Sequence, residues 1–228
     1  MKTIATICAR GGSVGLPNKN ILDFCGKPLI AHTIEQALKC DFINDVYVST
    51  DSLEIADVAR QYGAKVPFMR PANLATSESG KIPVIQHCVK YLMEQGEQIS
   101  KIIDLQPTSP LRTLEDISET FKLLTDDTDV IFSVCESSHN PYFSMVELDM
   151  YNYACLSKSD GIEIIRRQDA PKVYGLNGAM YMWHAHTLDK GLFEGKSKIY
   201  IMPKERSIDI DDVYDFEFAK IMFVERKK

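Results

Sequence analysis

The sequence predicts an α/β fold with a mostly parallel β-sheet and helices on both faces. The apolar segment at 4–9 has the composition of a buried strand and runs into a glycine-rich loop. Apolar runs and helix-period segments then alternate, giving a β-α-β-α-β pattern by residue 70. Pro107 and Pro110 follow a further predicted strand at 101–105, so the chain leaves that strand in an extended loop. Ligands of such sheets bind outside the carboxyl ends of the strands.

Each element is predicted from the spacing of its apolar residues. Asp51 is expected to cap the second helix, with Glu54 three residues later as in a capping box, and Asp212 is expected to cap the last helix. Helices are predicted at 29–40, 51–62, 82–92, 114–124 and 213–224. Strands are predicted at 4–9, 46–50, 65–69, 101–105, 129–134, 176–183 and 198–202. Together they predict one domain over 1–228 with a Rossmann-like sheet.

The stretch at 137–171 departs from this pattern. It has no clean helical period, and it contains the aromatic residues Tyr142, Phe143, Tyr151 and Tyr153. A structureless loop of this length would be unusual in a compact domain. The residues alone leave three interpretations open, namely a long surface excursion, a β-arm and a dimerisation element.

Composition limits the class of protein and its partners. The 228 residues are 45% hydrophobic and 25% charged, which is typical of a folded globular protein. A formal net charge of −6 argues against nucleic acid as a partner, since such binders carry a basic excess. No apolar run approaches the roughly 18 residues of a membrane helix, so no membrane partner is expected. Six cysteines without C-x-x-C spacing indicate reduced thiols and a cytoplasmic location.

The loop after the first strand has the composition of a phosphate-binding site. It contains three glycines, whose backbone N–H groups can approach an anion without interference from a Cβ atom. Arg10 and Lys19 flank the glycines and can donate charge-assisted hydrogen bonds to phosphate oxygens. The loop matches neither G-x-x-x-x-G-K-[ST] nor G-x-G-x-x-G, so an ordinary glycine-rich connection is the alternative.

Asp209 and Asp211 form the candidate metal site. On an extended segment, residues two apart place both carboxylates on one face, while Ile208 and Ile210 point toward the core. Mg²⁺ is commonly held by one or two carboxylates together with phosphate oxygens and water. The alternative is an acidic, solvated strand end. Asp212 faces away and is excluded from the site.

Four motifs resemble those of the acylneuraminate cytidylyltransferases, which include the CMP-sialic acid and CMP-legionaminic acid synthetases. The first is A-R-G-G-S-x-G-x-P-x-K-N at 9–20, and the second is L-Q-P-T-S-P-L-R at 105–112. The third is N-G-A at 177–179, before an apolar strand, and the fourth is S-I-D-I-D at 207–211. They occur in the family's order and extend over nearly the whole chain. The resemblance implies CTP and a nine-carbon sugar acid as substrates, Mg²⁺ as cofactor and a homodimer in which 137–171 packs against the second subunit.

The resemblance also implies a role for each matching residue. Four of them would act directly in catalysis: Arg10, Lys19, Asp209 and Asp211. Seven residues would bind CTP: Arg10, Gly11, Gly12, Ser13, Lys19, Asn20 and Arg70. Within this set, Asn20 would contact the ribose and Arg70 the cytosine. The sugar would be bound by Gln106, by Asn177 and by Arg167, the last in its own or the neighbouring active site. Mg²⁺ would be held by Asp209 and Asp211.

The implied reaction transfers CMP from CTP to the anomeric hydroxyl of a nine-carbon 2-keto sugar acid and releases pyrophosphate. One position departs from the family pattern, since Gly175 stands where sialic-acid enzymes often carry an arginine that holds the sugar carboxylate. Legionaminic acid or an isomer is therefore as plausible an acceptor as N-acetylneuraminic acid. The alternatives are a cytidylyltransferase for another sugar acid, such as the eight-carbon one, and a non-catalytic nucleotide-binding module.

Overall fold

The structure is a computed structural model and describes residues 1–13, 15–159, 161 and 164–226. Its strands in chain order are β1 (Lys2–Cys8), β2 (Asp45–Ser49), β3 (Ile99–Leu105), β4 (Val130–Glu136), β5 (Val146–Leu148), β6 (Ala154–Leu156), β7 (Tyr174–His184) and β8 (Ser197–Ile201). Its α-helices are α1 (Leu29–Leu38), α2 (Leu53–Gln61), α3 (Lys81–Glu94), α4 (Leu114–Leu123) and α5 (Val213–Glu225).

Six strands form the central sheet in the order β2-β1-β3-β7-β4-β8. Every neighbouring pair is parallel except the two that involve β7, which runs antiparallel between β3 and β4. The predicted α/β fold with a mostly parallel sheet is therefore confirmed. None of the helices within the described ranges has the length and apolarity of a membrane span.

Alternating strand residues supply two separate hydrophobic cores, one on each face of the sheet. On one face, Ala5 and Ile7 of β1 pack in a cluster with apolar residues of α1, α2 and α4. On the other face, Ile4 packs in a cluster with residues of α3, among them Ile85 and Leu92. The prediction of helices on both faces is thus confirmed. Helix α5 packs outside the sheet, in a third cluster with the segment that connects β1 to α1.

Two local predictions are wrong. A strand was expected at 65–69. In the structure this segment forms one isolated bridge, between Lys65 and Tyr47 of β2, and does not continue along β2. Helix α2 is capped by Ser52, whose hydroxyl accepts a hydrogen bond from the Ile55 N–H at 3.4 Å, and not by Asp51. Asp51 instead reaches the glycine-rich loop, as described below.

The predicted cap of the last helix is confirmed. The Asp212 carboxylate accepts hydrogen bonds from the Tyr214 and Asp215 N–H groups at 2.8 and 3.0 Å. The Asp215 carboxylate accepts one in return from the Asp212 N–H at 3.3 Å, which completes a capping box. This reciprocal cap starts α5 directly after the candidate metal-binding segment.

The stretch predicted as an arm contains an antiparallel hairpin that is separate from the central sheet. In this hairpin Val146 of β5 pairs with Leu156 of β6. At its base the Asn140 side chain donates a hydrogen bond to the Pro171 carbonyl at 2.8 Å, which joins the two ends of the excursion. Positions 160, 162 and 163 of the predicted arm lie outside the described residues.

Candidate active site

The site is a cleft of about 470 Å³ at the carboxyl ends of β1 and β3, which is where ligands of open α/β sheets bind. The glycine-rich loop forms one wall, and the start of α3 and the loop after β3 form another. The lining residues are Cys8, Arg10, Ser13, Gly15, Lys19, Asn20, Lys81, Asp104, Gln106, Pro107, Thr108 and Asp211. The lining thus contains three cations, Arg10, Lys19 and Lys81.

Polar contacts hold the glycine-rich loop at both ends. The Gly11 N–H donates a hydrogen bond to Asp51 Oδ1 at 2.9 Å, so the carboxylate that was expected to cap α2 instead fixes the loop. At the other end, Asn20 Nδ2 donates to the Arg10 carbonyl at 3.2 Å. Asn20 is only 4% exposed, and its Oδ1 has no hydrogen-bond partner among the described residues. A buried polar atom without a partner is unusual, and this one belongs to a residue that lines the cleft.

Gly15 lies directly against the candidate metal-binding segment. A Cβ atom at this position would overlap the backbone carbonyl oxygen of Asp211. Lys19 strengthens the same contact, because its ammonium donates to the Ile210 carbonyl and lies 3.3 Å from Asp211 Oδ1. The loop and the aspartate segment, almost two hundred residues apart in the chain, therefore form one wall of the cleft.

The two aspartates occupy different environments. Asp209 accepts hydrogen bonds from Gln106 Nε2 at 2.8 and 2.9 Å and from the Thr108 hydroxyl at 2.5 Å. Burial raises the pKa of the Asp209 carboxyl above its ordinary value, although the Thr108 hydrogen bond acts in the opposite direction. The Asp211 side chain is 81% exposed at the cleft. Between them, Ile210 is fully buried, which agrees with the predicted alternation.

The donor set fits a magnesium ion that is shared with a substrate. In the described part of the chain, no group of three or more His, Cys, Asp or Glu side chains could hold a metal by itself. The carboxylates of Asp209 and Asp211 nonetheless both meet cleft-lining side chains. Two hard oxygen donors suffice when substrate phosphates and water complete the coordination of Mg²⁺.

Gln106 occupies the centre of the cleft floor. Its backbone N–H donates to the Ala179 carbonyl at 3.1 Å, which anchors the loop after β3 to β7. Its side-chain Oε1 accepts a hydrogen bond from Lys81, while Nε2 donates to Asp209. Gly178 has a φ of 69°, and a Cβ there would lie 3.0 Å from Gln106 Oε1. Only glycine combines this backbone conformation with room for the glutamine.

Asn177 lies next to the cleft without lining it. Its side chain is buried, accepts a hydrogen bond from the Ser133 hydroxyl at 2.7 Å and donates to the Ser207 hydroxyl at 3.0 Å. These bonds connect β7 with β4 and with the segment that leads to the aspartates. Contact of Asn177 with a sugar therefore remains a prediction.

Several further predicted site residues lie outside the cleft lining, namely Gly11, Gly12, Arg70, Arg167 and Asp209. Arg70 is buried at the carboxyl end of β2, where its guanidinium donates to the Ser49 hydroxyl at 3.0 Å and to the Ser49 carbonyl. Arg167 lies on the arm and lines a separate pocket of about 370 Å³ together with Glu136 and Ser137. The cytosine contact of Arg70 and the sugar contact of Arg167 remain predictions.

The sequence reasoning missed Lys81 and Asp104. Asp104 is 1% exposed near the end of β3, where it accepts a hydrogen bond from the Thr6 hydroxyl at 2.9 Å and lies 3.4 Å from Lys81 Nζ. Asp104 could have been noticed as an acidic residue with apolar neighbours, Ile103 and Leu105, in a predicted strand. Nothing in the local sequence distinguishes Lys81, because only the packing of α3 on the sheet brings it to the cleft.

This fold and cleft define a nucleotidyltransferase, in which a basic glycine-rich loop lies beside a pair of carboxylates at the carboxyl ends of a mostly parallel sheet. The family model described as cytidylyltransferase matches residues 4–220. The chain therefore belongs to the cytidylyltransferase family.

Two relatives match this chain over nearly its full length. Pseudaminic acid cytidylyltransferase of Campylobacter jejuni serotype O:2 is 33% identical over 226 residues, covering 98% of this chain and 97% of the relative. CMP-N,N'-diacetyllegionaminic acid synthase of the same organism is 33% identical over 223 residues, covering 96% and 94%. A solved structure of CMP:2-keto-3-deoxy-manno-octonic acid synthetase complexed with CTP has a TM-score of 0.70. The sequence identity to this structure is 18%, and the match covers 99% of the present chain and 100% of the chain in the solved structure. The likeness supports the fold.

We expect Gly15→Ala to weaken CTP binding, because the new methyl group must push the loop away from the Asp211 carbonyl. Overpacking of this kind costs about 2 kcal/mol, which corresponds to a rise of about thirtyfold in the Kd for CTP. Isothermal titration calorimetry measures the Kd. Gly175→Ala is the matched control, since a Cβ there meets nothing within 4 Å and Gly175 lies outside the predicted CTP-binding set. Equal affinities of the two variants would contradict the importance of the contact.

Proposed function

We propose that this protein transfers CMP from CTP to the anomeric hydroxyl of a nine-carbon 2-keto sugar acid and releases pyrophosphate. The observation that carries the proposal is the joining of the glycine-rich loop to the aspartate segment through Gly15 and Lys19. The two relatives described above, which are named for pseudaminic and N,N'-diacetyllegionaminic acid, support the class of acceptor. The six cysteines, which show no C-x-x-C spacing, are consistent with the predicted cytoplasmic location.

The described residues supply the positioning that phosphoryl transfer requires. Arg10, Lys19 and the loop N–H groups would bind the phosphates and stabilise the charge that passes to the leaving pyrophosphate. The unpartnered Oδ1 of Asn20 would accept a hydrogen bond from a ribose hydroxyl. The acceptor hydroxyl attacks the α-phosphorus in line, and its proton leaves to solvent. Such a reaction depends on orientation and charge neutralisation more than on covalent catalysis.

Mg²⁺ is the cofactor that best fits the two aspartates. Asp211 faces the cleft and would bind the ion directly, while Asp209 is oriented by Gln106 and Thr108. When bound, the ion would neutralise negative charge on the phosphate oxygens. The hydrogen bonds to Asp209 would then keep one ligand in place before the nucleotide arrives.

Gly175 leaves the identity of the sugar acid open. It pairs with Cys135 of β4, and a Cβ there would meet nothing within 4 Å, so the backbone does not demand glycine. The fold would therefore tolerate an arginine at this position, which the resemblance associates with the sugar carboxylate. It makes pseudaminic and legionaminic acids at least as suitable as N-acetylneuraminic acid.

The arm is the surface that we propose for a homodimer. Its hairpin and the connecting turn expose several large apolar side chains to solvent: Val146, Leu148, Met150, Tyr151, Tyr153 and Leu156. An exposed apolar patch of this kind is typical of an interface. A partner packed here could bring its own Arg167 toward the neighbouring cleft.

The reaction is tested by measuring pyrophosphate release with CTP and Mg²⁺ in the presence of separate sugar acids. Pseudaminic, N,N'-diacetyllegionaminic, N-acetylneuraminic and the eight-carbon acid form the panel. We expect turnover with one of the nine-carbon acids and at least tenfold lower kcat/KM with the eight-carbon acid, since missing substrate contacts reduce transition-state binding. Preference for the eight-carbon acid would favour the alternative acceptor, and CTP binding without any turnover would favour the non-catalytic module.

Asp211→Asn is expected to raise the Mg²⁺ concentration for half-maximal turnover by about tenfold or more, because the substitution removes a charged ligand. Steady-state rates across a magnesium titration measure this effect. Asp212→Asn is the matched control. Asparagine also caps helices well, and the Asp212 side chain caps α5 and does not belong to the metal site. Identical magnesium curves for Asp211→Asn and the wild type would overturn the metal assignment.

Leu148→Asp is expected to convert a dimer into a monomer, because it places a charge within the apolar surface of the arm. Leu53→Asp provides a control of equal exposure, 68% against 66%, on the first turn of α2. Sedimentation velocity distinguishes the two species. A wild-type protein that sediments as a monomer at micromolar concentration, or a dimer that survives Leu148→Asp, would contradict the arm as the interface.

A further inference from the structure

Lys81 is a cleft cation that none of the four sequence motifs includes. It is the first residue of α3, and its side chain is 29% exposed. Its ammonium donates to Gln106 Oε1, lies 3.4 Å from Asp104 Oδ2 and 3.5 Å from the Gly178 carbonyl oxygen. It also lies 4.4 Å from the centroid of the Tyr181 ring. An ammonium held in this way is positioned to meet an anion in the cleft.

Lys81 and Lys19 lie at opposite ends of a hydrogen-bonded series along the cleft floor. From Lys81 the series passes through Gln106 to Asp209. Beyond Asp209, Lys19 holds the backbone carbonyl of Ile210. The two lysines are therefore separated by the glutamine and the aspartate segment, and they can bind different anionic groups.

The geometry of the proposed reaction assigns these two ends to different substrates. In an in-line displacement, the attacking hydroxyl and the leaving pyrophosphate lie on opposite sides of the α-phosphorus. Arg10 and Lys19 belong to the loop that would bind the phosphates, so the acceptor belongs at the end where Lys81 lies. In a 2-keto sugar acid, the carboxylate is attached to the anomeric carbon, directly beside the reacting hydroxyl.

We propose that Lys81 binds the carboxylate of the acceptor sugar acid. This inference rests on the proposed function and specifies how the substrate is recognised where Gly175 provides no cation. The contacts of Lys81 with Asp104 and with Gly178 are long, so a substrate carboxylate can approach the ammonium without breaking a short hydrogen bond. Asp104 is a positioning residue, since it is buried beneath the ammonium and held by Thr6. The Tyr181 ring supports the lysine from the other side.

The test compares steady-state kinetics of the wild type and Lys81→Met with the sugar acid of the panel that turns over fastest. We expect the KM for the acid to rise about 10- to 100-fold, which is the usual effect of losing a hydrogen bond to a charged group. The KM for CTP should stay within about twofold. Lys81→Arg, which keeps the charge, should recover part of the lost affinity.

Lys81→Met leaves the buried Asp104 carboxylate without its cation, which destabilises the folded protein. Two further variants control for this loss of stability. Asp104→Asn removes that charge, and Lys81→Met combined with Asp104→Asn removes both charges together. Thermal unfolding selects the variants that fold. The carboxamide of the same acid serves as a second probe, since it lacks only the negative charge. The wild type and Asp104→Asn should prefer the acid to the amide, and the double variant should lose this preference.

The outcomes separate this inference from the proposed function. An unchanged KM for the acid in the folded variants, or a rise in the KM for CTP alone, would overturn carboxylate binding by Lys81 and leave the reaction intact. Retention of the acid-over-amide preference in the double variant would overturn it as well. If the wild type releases no pyrophosphate with any acid, the proposed function fails, and this inference fails with it.

Discussion

The structure depends on one buried guanidinium. Arg112 is 1% exposed, and it donates hydrogen bonds to the Ala179 carbonyl at 2.7 Å, the Thr33 hydroxyl at 3.1 Å and Gln36 Oε1 at 3.0 Å. Burial lowers its pKa to about 10, which still leaves the group charged at neutral pH. These acceptors belong to α1 and β7, and removal of the guanidinium would take a buried hydrogen-bond donor away from each of them. Arg112 therefore locks the loop after β3 between a helix and the antiparallel strand.

The position of the cleft residues depends on these hydrogen bonds of Arg112. Arg112 also donates to the Gln106 carbonyl at 3.3 Å, and it thereby orients the residue whose side chain joins Lys81 to Asp209. Thr108 extends the same loop, since its carbonyl accepts the Ile210 N–H at 2.9 Å. Segments that are distant in the chain thus share one set of hydrogen bonds before any substrate binds. Such preorganisation reduces the reorganisation that a transition state would otherwise require.

The parts of this arrangement that are local in sequence could be predicted, and the parts that depend on long-range packing could not. Helix periods, the alternation around Ile210 and the cap at Asp212 each reflect a few neighbouring residues. By contrast, Asp51 met the sequence criteria for a helix cap as well as Asp212 did. Its carboxylate instead accepts a hydrogen bond from the Gly11 N–H, because the glycine-rich loop packs next to it in the fold. Lys81 was missed for the same reason, because its partners lie on β3 and β7.

The charges around the cleft support a role for a divalent cation. Asp211 lines the cleft, and Asp209 lies behind the cleft-lining Gln106, to which it is hydrogen-bonded. Two carboxylates so close to a bound triphosphate would repel its phosphate charges in a partly buried cleft. Lys19 is already shared with Asp211, so it offsets that repulsion only in part. A divalent ion held by the two aspartates would supply the positive charge that offsets this repulsion. With the proposed metal bound, the aspartates would therefore favour nucleotide binding and not oppose it.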